Sequence, residues 1–428
     1  MNGLELAVER LWAEIEARRD ELIGIDADLV RRPSLLGEEG PAQAYVAEHL
    51  RTTGAETEVW DLDESVRSLP NAGDSGVPFP GRPNVASTLR GAGGGRSLVL
   101  NGHIDVVSPE PLSAWTRDPW GAEIVGDRLY GRGAMDMKIG IAINLFLPRL
   151  FRDLGIALAG DLTIHSVIEE ECSGIGALDA ARRGRADAAL VTESEHMRFT
   201  RACLGVLWFR VRIEGKAWHA MEARKGVNAI SKAMPVIQAL EDLDRRLNET
   251  AHPDWADVDH PINLNIGVIQ GGDWPSTVPG ACELSCRVSF FPGQTVEGMH
   301  ALIEQAVRSA AEGDAWLRQH PPIVAYHGFQ SAGSVLPADA PLIQTMGKWH
   351  RRVHDEAMTI RVATSITDDR YYNFNGIPAG CYGASGGNPH GADEWLDLTS
   401  VVPTAKVIGA AVLEWCGLAG EAANRPPH

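Results

Sequence analysis

His103, Asp136, Glu171, Glu193 and His390 are side chains whose types and settings suit metal chemistry. Two imidazoles and three carboxylates form a donor set for zinc, cobalt or manganese, and one carboxylate can bridge ions about 3.5–4 Å apart. Such a pair would polarise a carbonyl and bring the ionisation of water close to neutral pH. Hydrolysis of an amide then needs a free carboxylate to carry a proton from water to the leaving nitrogen. Glu170, adjacent to Glu171, is placed to do so. Asp105 follows His103 closely enough to hold the second ring nitrogen, as carboxylates commonly do for metal-bound histidine. Glu195 and His196 are alternatives to Glu193 as ligand, with a poorer fit to the motif position.

These residues need elements that deliver them to one place. The apolar run Leu98–Leu100 reads as a buried parallel strand and ends in Asn-Gly-His-Ile-Asp. Asp161 to Ile168 reads as another strand and runs into Glu169, Glu170 and Glu171. Asp187 to Val191 is a short third one and ends in Thr-Glu-Ser-Glu. Asp136 stands just before a helical run, Ile139 to Leu154, and His390 follows a strand and a glycine-rich loop. Open α/β sheets keep ligands at the carboxyl ends of their strands, so one edge collects the acids and histidines. Consecutive acids there repel one another, and a cation would remove the repulsion.

The character changes near Cys203. LGVLWFRVRIEG alternates apolar and charged residues, as a half-exposed antiparallel strand does. An amphipathic helix follows, with Ile230, Met234, Ile237, Leu240 and Leu243 at helical spacing. Two strands, PINLNIGVIQ and CELSCRVSF, and a helix from Thr295 to about Gln319 complete the block. The expected fold class is therefore α/β. A catalytic domain with a mostly parallel sheet flanked by helices, residues 1–202 and 323–428, carries an inserted two-layer α+β lid or dimerisation domain, residues 203–322. An exposed sheet edge on that insert would pair with a second copy, giving a homodimer.

A chain of 428 residues exceeds one ordinary core, which agrees with two domains. The formal charge of -18, from 57 acidic and 39 basic residues, argues against nucleic acid or an anionic membrane as partner. The amino-terminal stretch carries acids where a signal peptide carries basic residues, and Leu4, Val8, Leu11, Ile15 and Leu22 fall at helical spacing instead. No apolar run is expected to span a membrane, and the tail from Glu421 is expected to fray. Six scattered cysteines read as reduced thiols of a cytoplasmic protein.

Taken together, GHIDVV, GRGAMDMK, IEEECSGIG, TESE, GKAWHAMEARKGVNAI, TDDR and NPHGADEW resemble, in order, the motifs of the zinc peptidase and deacylase family. That family includes aminoacylase, acetylornithine deacetylase, succinyl-diaminopimelate desuccinylase and carboxypeptidase G. The resemblance implies that His103, Glu193 and bridging Asp136 hold one metal, while Glu171, His390 and the same Asp136 hold the other. It implies zinc first, Asp105 as the residue orienting His103, and Glu170 as general acid and base. By the same resemblance His219 reaches into the neighbouring subunit's site to help bind the carbonyl oxygen. Arg370 takes the substrate carboxylate and Asn265 faces the substrate. The implied reaction is deacylation of an N-acyl-amino acid, with dipeptidase or carboxypeptidase action as the alternative. This chain departs from the family pattern at Ile139, Ser194 and Ala217-Trp218, and Arg287-Val288-Ser289 replaces the usual Asp-x-Arg.

Overall fold

Four strands, Leu98–His103, Leu162–Val167, Ala188–Val191 and Ala379–Cys381, lie side by side and mutually parallel in the computed structural model, which describes residues 3–420. Every residue of Leu98–His103 is buried, which a strand covered on both faces requires. Parallel neighbours need crossover connections, and the helices Ile139–Asp153 and Ile175–Arg183 provide them. The flanks are mostly antiparallel. Asn84–Leu89 and Glu56–Trp60 extend the sheet on one side. On the other, Phe199–Cys203 carries Ser334–Val335 antiparallel and Ile360–Val362 parallel. This is the expected α/β class with a mostly parallel centre.

Helices cover both faces. The opening helical run is broken at Arg18, where the backbone leaves helical values (φ -109°, ψ 24°), so two helices, Gly3–Ala17 and Arg19–Val30, replace one. The helix Leu398–Cys416 is long and apolar enough to cross a membrane, contrary to the reading that no such run exists. It packs inside the main core, with Val407, Ile408 and Val412 fully buried, and it contacts the Gly3–Ala17 and Pro341–His354 helices. Its hydrophobicity comes from being enclosed on most sides by protein. All six cysteines are free thiols, and the tail expected to fray, Glu421–His428, lies outside the described residues.

The insert forms a four-stranded antiparallel sheet in the order Leu264–Gly271, Ala281–Phe290, Gly205–Glu214, Ile323–Ser331. Helices Ala229–Leu247 and Val296–Glu312 bury one face against Leu207, Phe209, Val211 and Ile213, while Trp208, Arg210 and Arg212 point to the other. The stretch from residue 323, expected to belong to the catalytic domain, forms the strand Ile323–Ser331 of this sheet and pairs along Gly205–Glu214. The boundary at residue 322 is therefore corrected to the end of that strand. Its outer half alternates partly buried and exposed residues, the pattern of a sheet edge rather than of the buried central sheet.

Gly328 sits where this edge strand bulges, with φ +58°, a conformation that favours glycine. Its backbone exchanges hydrogen bonds with Asp74 at 2.9 and 2.7 Å, stapling the 61–83 loop to the insert. A Cβ at Gly328 would lie 2.4 Å from the Trp208 ring. Gly328→Ala is expected to cost about 1–3 kcal/mol through φ strain and displacement of Trp208. A lower urea midpoint with unchanged metal content would show it; an unchanged midpoint would mean that the bulge relaxes freely.

Candidate metal centre

Strand ends place the donors. His103 closes Leu98–His103, Glu170 and Glu171 follow Leu162–Val167, and Glu193 follows Ala188–Val191. Asp136 lies in the turn before the Ile139–Asp153 helix, and His390 in the loop after Gly386–Gly387. The His103 Nε2 stands 3.2 Å from Asp136 Oδ1 and 3.4 Å from Glu193 Oε2. The His390 Nε2 stands 3.2 Å from Asp136 Oδ2 and 3.0 Å from Glu171 Oε2. Two three-residue groups result, each with donor atoms within 4.8 Å of one another, and Asp136 gives one oxygen to each. Of the alternatives to Glu193, Glu195 instead faces Arg361 at 3.4 Å.

Burial makes the electrostatics of this cluster severe. It raises Glu171 to about 7, with the nearby Asp136 charge adding to the effect and His390 opposing it. Glu193 is raised to about 7 by burial and Asp136, against His103. His390 is raised to about 11 by its hydrogen bonds to Asp136 and Glu171. Asp136 is held below the usual carboxylate range by His103 and His390, which outweigh its burial. Three crowded carboxylates and two imidazoles fit two divalent ions sharing Asp136, since cations replace repulsion with attraction. Burial pushes Glu170 well above the usual carboxylate range; His103 opposes this, and the Asp368 and Glu171 charges add to it.

A second layer holds the loops. Asp105 was expected to hold the His103 ring by its carboxylate, but the ring Nδ1 meets the Asp105 backbone oxygen at 2.9 Å while the nearer carboxylate oxygen is 3.8 Å away. The Asp105 carboxylate instead accepts the backbone N–H groups of Glu170 and Glu171, both at 3.1 Å. Glu394, missed in the sequence, does the same for the Asp136 turn, accepting from the N–H groups of Gly133, Met135 and Asp136 at 3.0–3.1 Å and pairing with Arg132. Its signal was its place in NPHGADEW, two acids beyond His390. Arg82 joins Glu39 and Glu169 in the same layer, at 2.6 and 2.8 Å.

Asp136, Glu171, Glu193, His390 and Glu170 line a cavity of about 570 Å³, bordered on the insert side by Trp208, Arg287 and Phe329, with the buried His103 behind its wall. The Trp208 and Phe329 rings meet edge to face, 5.2 Å between centroids. None of the three expected substrate contacts lines this chain's own cavity, and His219 is expected in a neighbouring subunit's. Arg370 is fully buried and donates to Ser331, the Thr367 carbonyl and the Tyr371 hydroxyl, so its guanidinium is occupied by the protein. His219 is exposed, its Nδ1 accepting from the Met221 N–H at 3.0 Å. Asn265 is exposed on the strand opposite Arg287 and lines no part of the cavity.

The model of the family described as "Peptidase family M20/M25/M40" matches residues 99–414. The chain belongs to peptidase family M20/M25/M40. It is 29% identical to an N-formyl-4-amino-5-aminomethyl-2-methylpyrimidine deformylase of Bacillus subtilis, over 96% of this chain and 99% of the relative. It is 31% identical to an acetylornithine deacetylase of Klebsiella pneumoniae, over 78% and 83% of the two chains. Among solved structures, human carnosine dipeptidase 1 shares the fold at 16% identity, TM-score 0.75, over 96% of this chain and 98% of that one. Membership in the M20 family makes this chain a hydrolase of amide bonds.

The pKa directions of the ligand cluster set the sign of its own contribution to the pH response of the metal-free protein. Glu171 and Glu193 have folded values near 7, above the ordinary 4.5, so folding binds protons and their contribution is lost as pH rises through about 7. The contribution of His390 is complete below 6.5 and is lost as pH rises through about 11. Asp136 acts in the opposite sense, but its titration lies below this window. Chelated protein is therefore expected to melt at falling temperature from about pH 5 to 9, and divalent metal to restore the loss increasingly as ligands deprotonate. A melting temperature that climbs with pH in the chelated sample would contradict the arrangement.

Proposed function

We propose that this chain removes a short acyl group from the nitrogen of a small molecule, with N-acyl-amino acids as the substrate class and two divalent ions, zinc first, as cofactors. The observation that carries this reading is the pairing of a shared Asp136, one oxygen to each histidine, with a Glu170 carboxyl on the same cavity wall. When bound by His103, Glu193, Glu171 and His390 around Asp136, the ions supply polarisation of the amide carbonyl and an acidified water. The chain's own residues do the rest. Glu170 accepts the water proton and delivers it to the departing nitrogen, the task for which burial has raised its proton affinity. The Asp105 carboxylate keeps the Glu170 and Glu171 backbone in register with His103.

The division of labour follows the same reading: residues 1–202 with 332–428 as the catalytic domain and 203–331 as a lid. Homodimerisation through the lid is supported by the strand Leu264–Gly271, whose outer edge is unpaired among the described residues and whose Val268 and Ile269 are 48% and 53% exposed. In that dimer His219 enters the partner's site and hydrogen-bonds the carbonyl oxygen. A cytoplasmic location agrees with six free thiols. A second reading, deformylation of an aminopyrimidine, is favoured by relatives of that name that match almost end to end, and by the Trp208–Phe329 wall that would flank a planar ring.

The test is hydrolysis, by metal-loaded and by chelated protein, of N-acetylornithine, other N-acyl-amino acids, the formylaminopyrimidine and simple dipeptides. Metal-dependent cleavage of an acyl-amino acid is expected; cleavage of the pyrimidine alone would select the second reading, and of dipeptides alone a peptidase. Glu170→Gln is expected to lower kcat at least about 10²–10⁴-fold with metal content intact, and near-normal turnover would remove it from the mechanism. Mixing Glu170→Gln with His219→Ala subunits is expected to restore about a quarter of wild-type activity, because half of random dimers hold one complete site. No recovery after subunit exchange would place His219 outside the partner's site.

A further inference from the structure

Arg287 is an unpaired cation in the cavity. It stands on Ala281–Phe290 between Trp208 and Asn265 in sheet register, on the face turned away from the insert's helices, and it lines the same cavity as the metal-site carboxylates. No hydrogen bond or ion pair engages its guanidinium among the described residues, whereas Arg361, on the same cavity, faces Glu195 and Arg370 donates to Ser331, Thr367 and Tyr371. Arg287 is partly buried, and that burial lowers its proton affinity from the ordinary arginine value. A desolvated guanidinium without a counter-ion is costly until an anion arrives.

The local sequence explains how the charge came to be there. The family pattern that this sequence resembles has Asp-x-Arg where this chain carries Arg287-Val288-Ser289. Ser289 is fully buried and its hydroxyl accepts the Asn263 N–H at 2.9 Å, so that position cannot hold a substrate anion. Arg287, two residues earlier on the same face, is open to the cavity and stands opposite Trp208. A planar fork of donors matches a carboxylate in two-point contact, which a lysine would not reproduce.

We propose that Arg287 is the specificity-determining residue of this site, binding the carboxylate on the amine half of the substrate in the role expected of Arg370. This rests on the deacylase reading above and names what that site selects. Because the proposal concerns recognition and not turnover, binding tests it separately. Metal-loaded Glu170→Gln protein would be titrated calorimetrically with N-acetylornithine and N-acetylphenylalanine, and with their carboxamides, which have the same shape and no charge at that end.

At least one acid is expected to bind about 10–100-fold more tightly than its amide, the range for a charge-assisted pair. The added change Arg287→Ala is expected to erase that preference, and Arg287→Lys to recover part of it, with circular dichroism and metal content unchanged. In the active protein, Arg287→Ala should raise KM for the acid and leave kcat nearly as it was. Equal binding of acid and amide, or a preference that survives Arg287→Ala, would overturn the proposal. A failure of all metal-dependent cleavage alongside a lost preference in Arg287→Ala would instead overturn the deacylase reading and leave Arg287 as the anion site.

Discussion

The arrangement around Asp136 governs the rest of the structure. One carboxylate faces two imidazoles, one oxygen to each, while Glu171 and Glu193 crowd the same space. Such a cluster is unstable on its own electrostatics and must be imposed by its surroundings. The imposition is made mostly through the backbone. Asp105 and Glu394 are buried carboxylates that accept main-chain N–H groups of the ligand-bearing turns, so each turn is fixed before any side chain chooses a rotamer. Their own charges are part of the same balance: burial raises both, and nearby His103 and Arg132 draw them back.

Much of this was legible in the sequence because the ligands follow short apolar strands. A buried strand has few ways to end, and His103, Glu171 and Glu193 each stand within a few residues of such an end. The parallel centre and the inserted antiparallel layer were legible for the same reason, from runs that are continuously apolar or that alternate. The edge of the insert was not. Ile323–Ser331 is only partly covered, and its weak pattern says little about which of two sheets it joins. Leu398–Cys416 was legible as a closing helix, but the sequence alone does not separate enclosure by protein from the apolarity of a membrane span.

Second-layer contacts were the least legible. The choice between the Asp105 carboxylate and its own carbonyl as partner of His103 is a difference of about one ångström in where a turn runs. No spacing rule encodes it. Arg370 was read as facing substrate from the family resemblance of TDDR, yet Tyr371, Ser331 and Thr367 accept from it inside the protein. Arg287 was noticed only as an irregularity of pattern, and its setting gives it meaning: among the described residues it has no carboxylate partner, whereas Arg82, Arg132 and Arg361 each have one.

The 61–83 loop touches both halves of the molecule. Asp74 is bonded to Gly328 in the insert's edge strand, and the next residue, Ser75, donates to Glu169 at 3.0 Å. Glu169 is itself fixed by Arg82 and Ser173 and adopts φ +64°, immediately before Glu170. The loop is thus a short tie-rod between the insert's sheet and the residue beside Glu170. A displacement of the insert's edge strand would be passed through Asp74, Ser75 and Glu169 to the acidic turn, so the insert and the acids are mechanically linked.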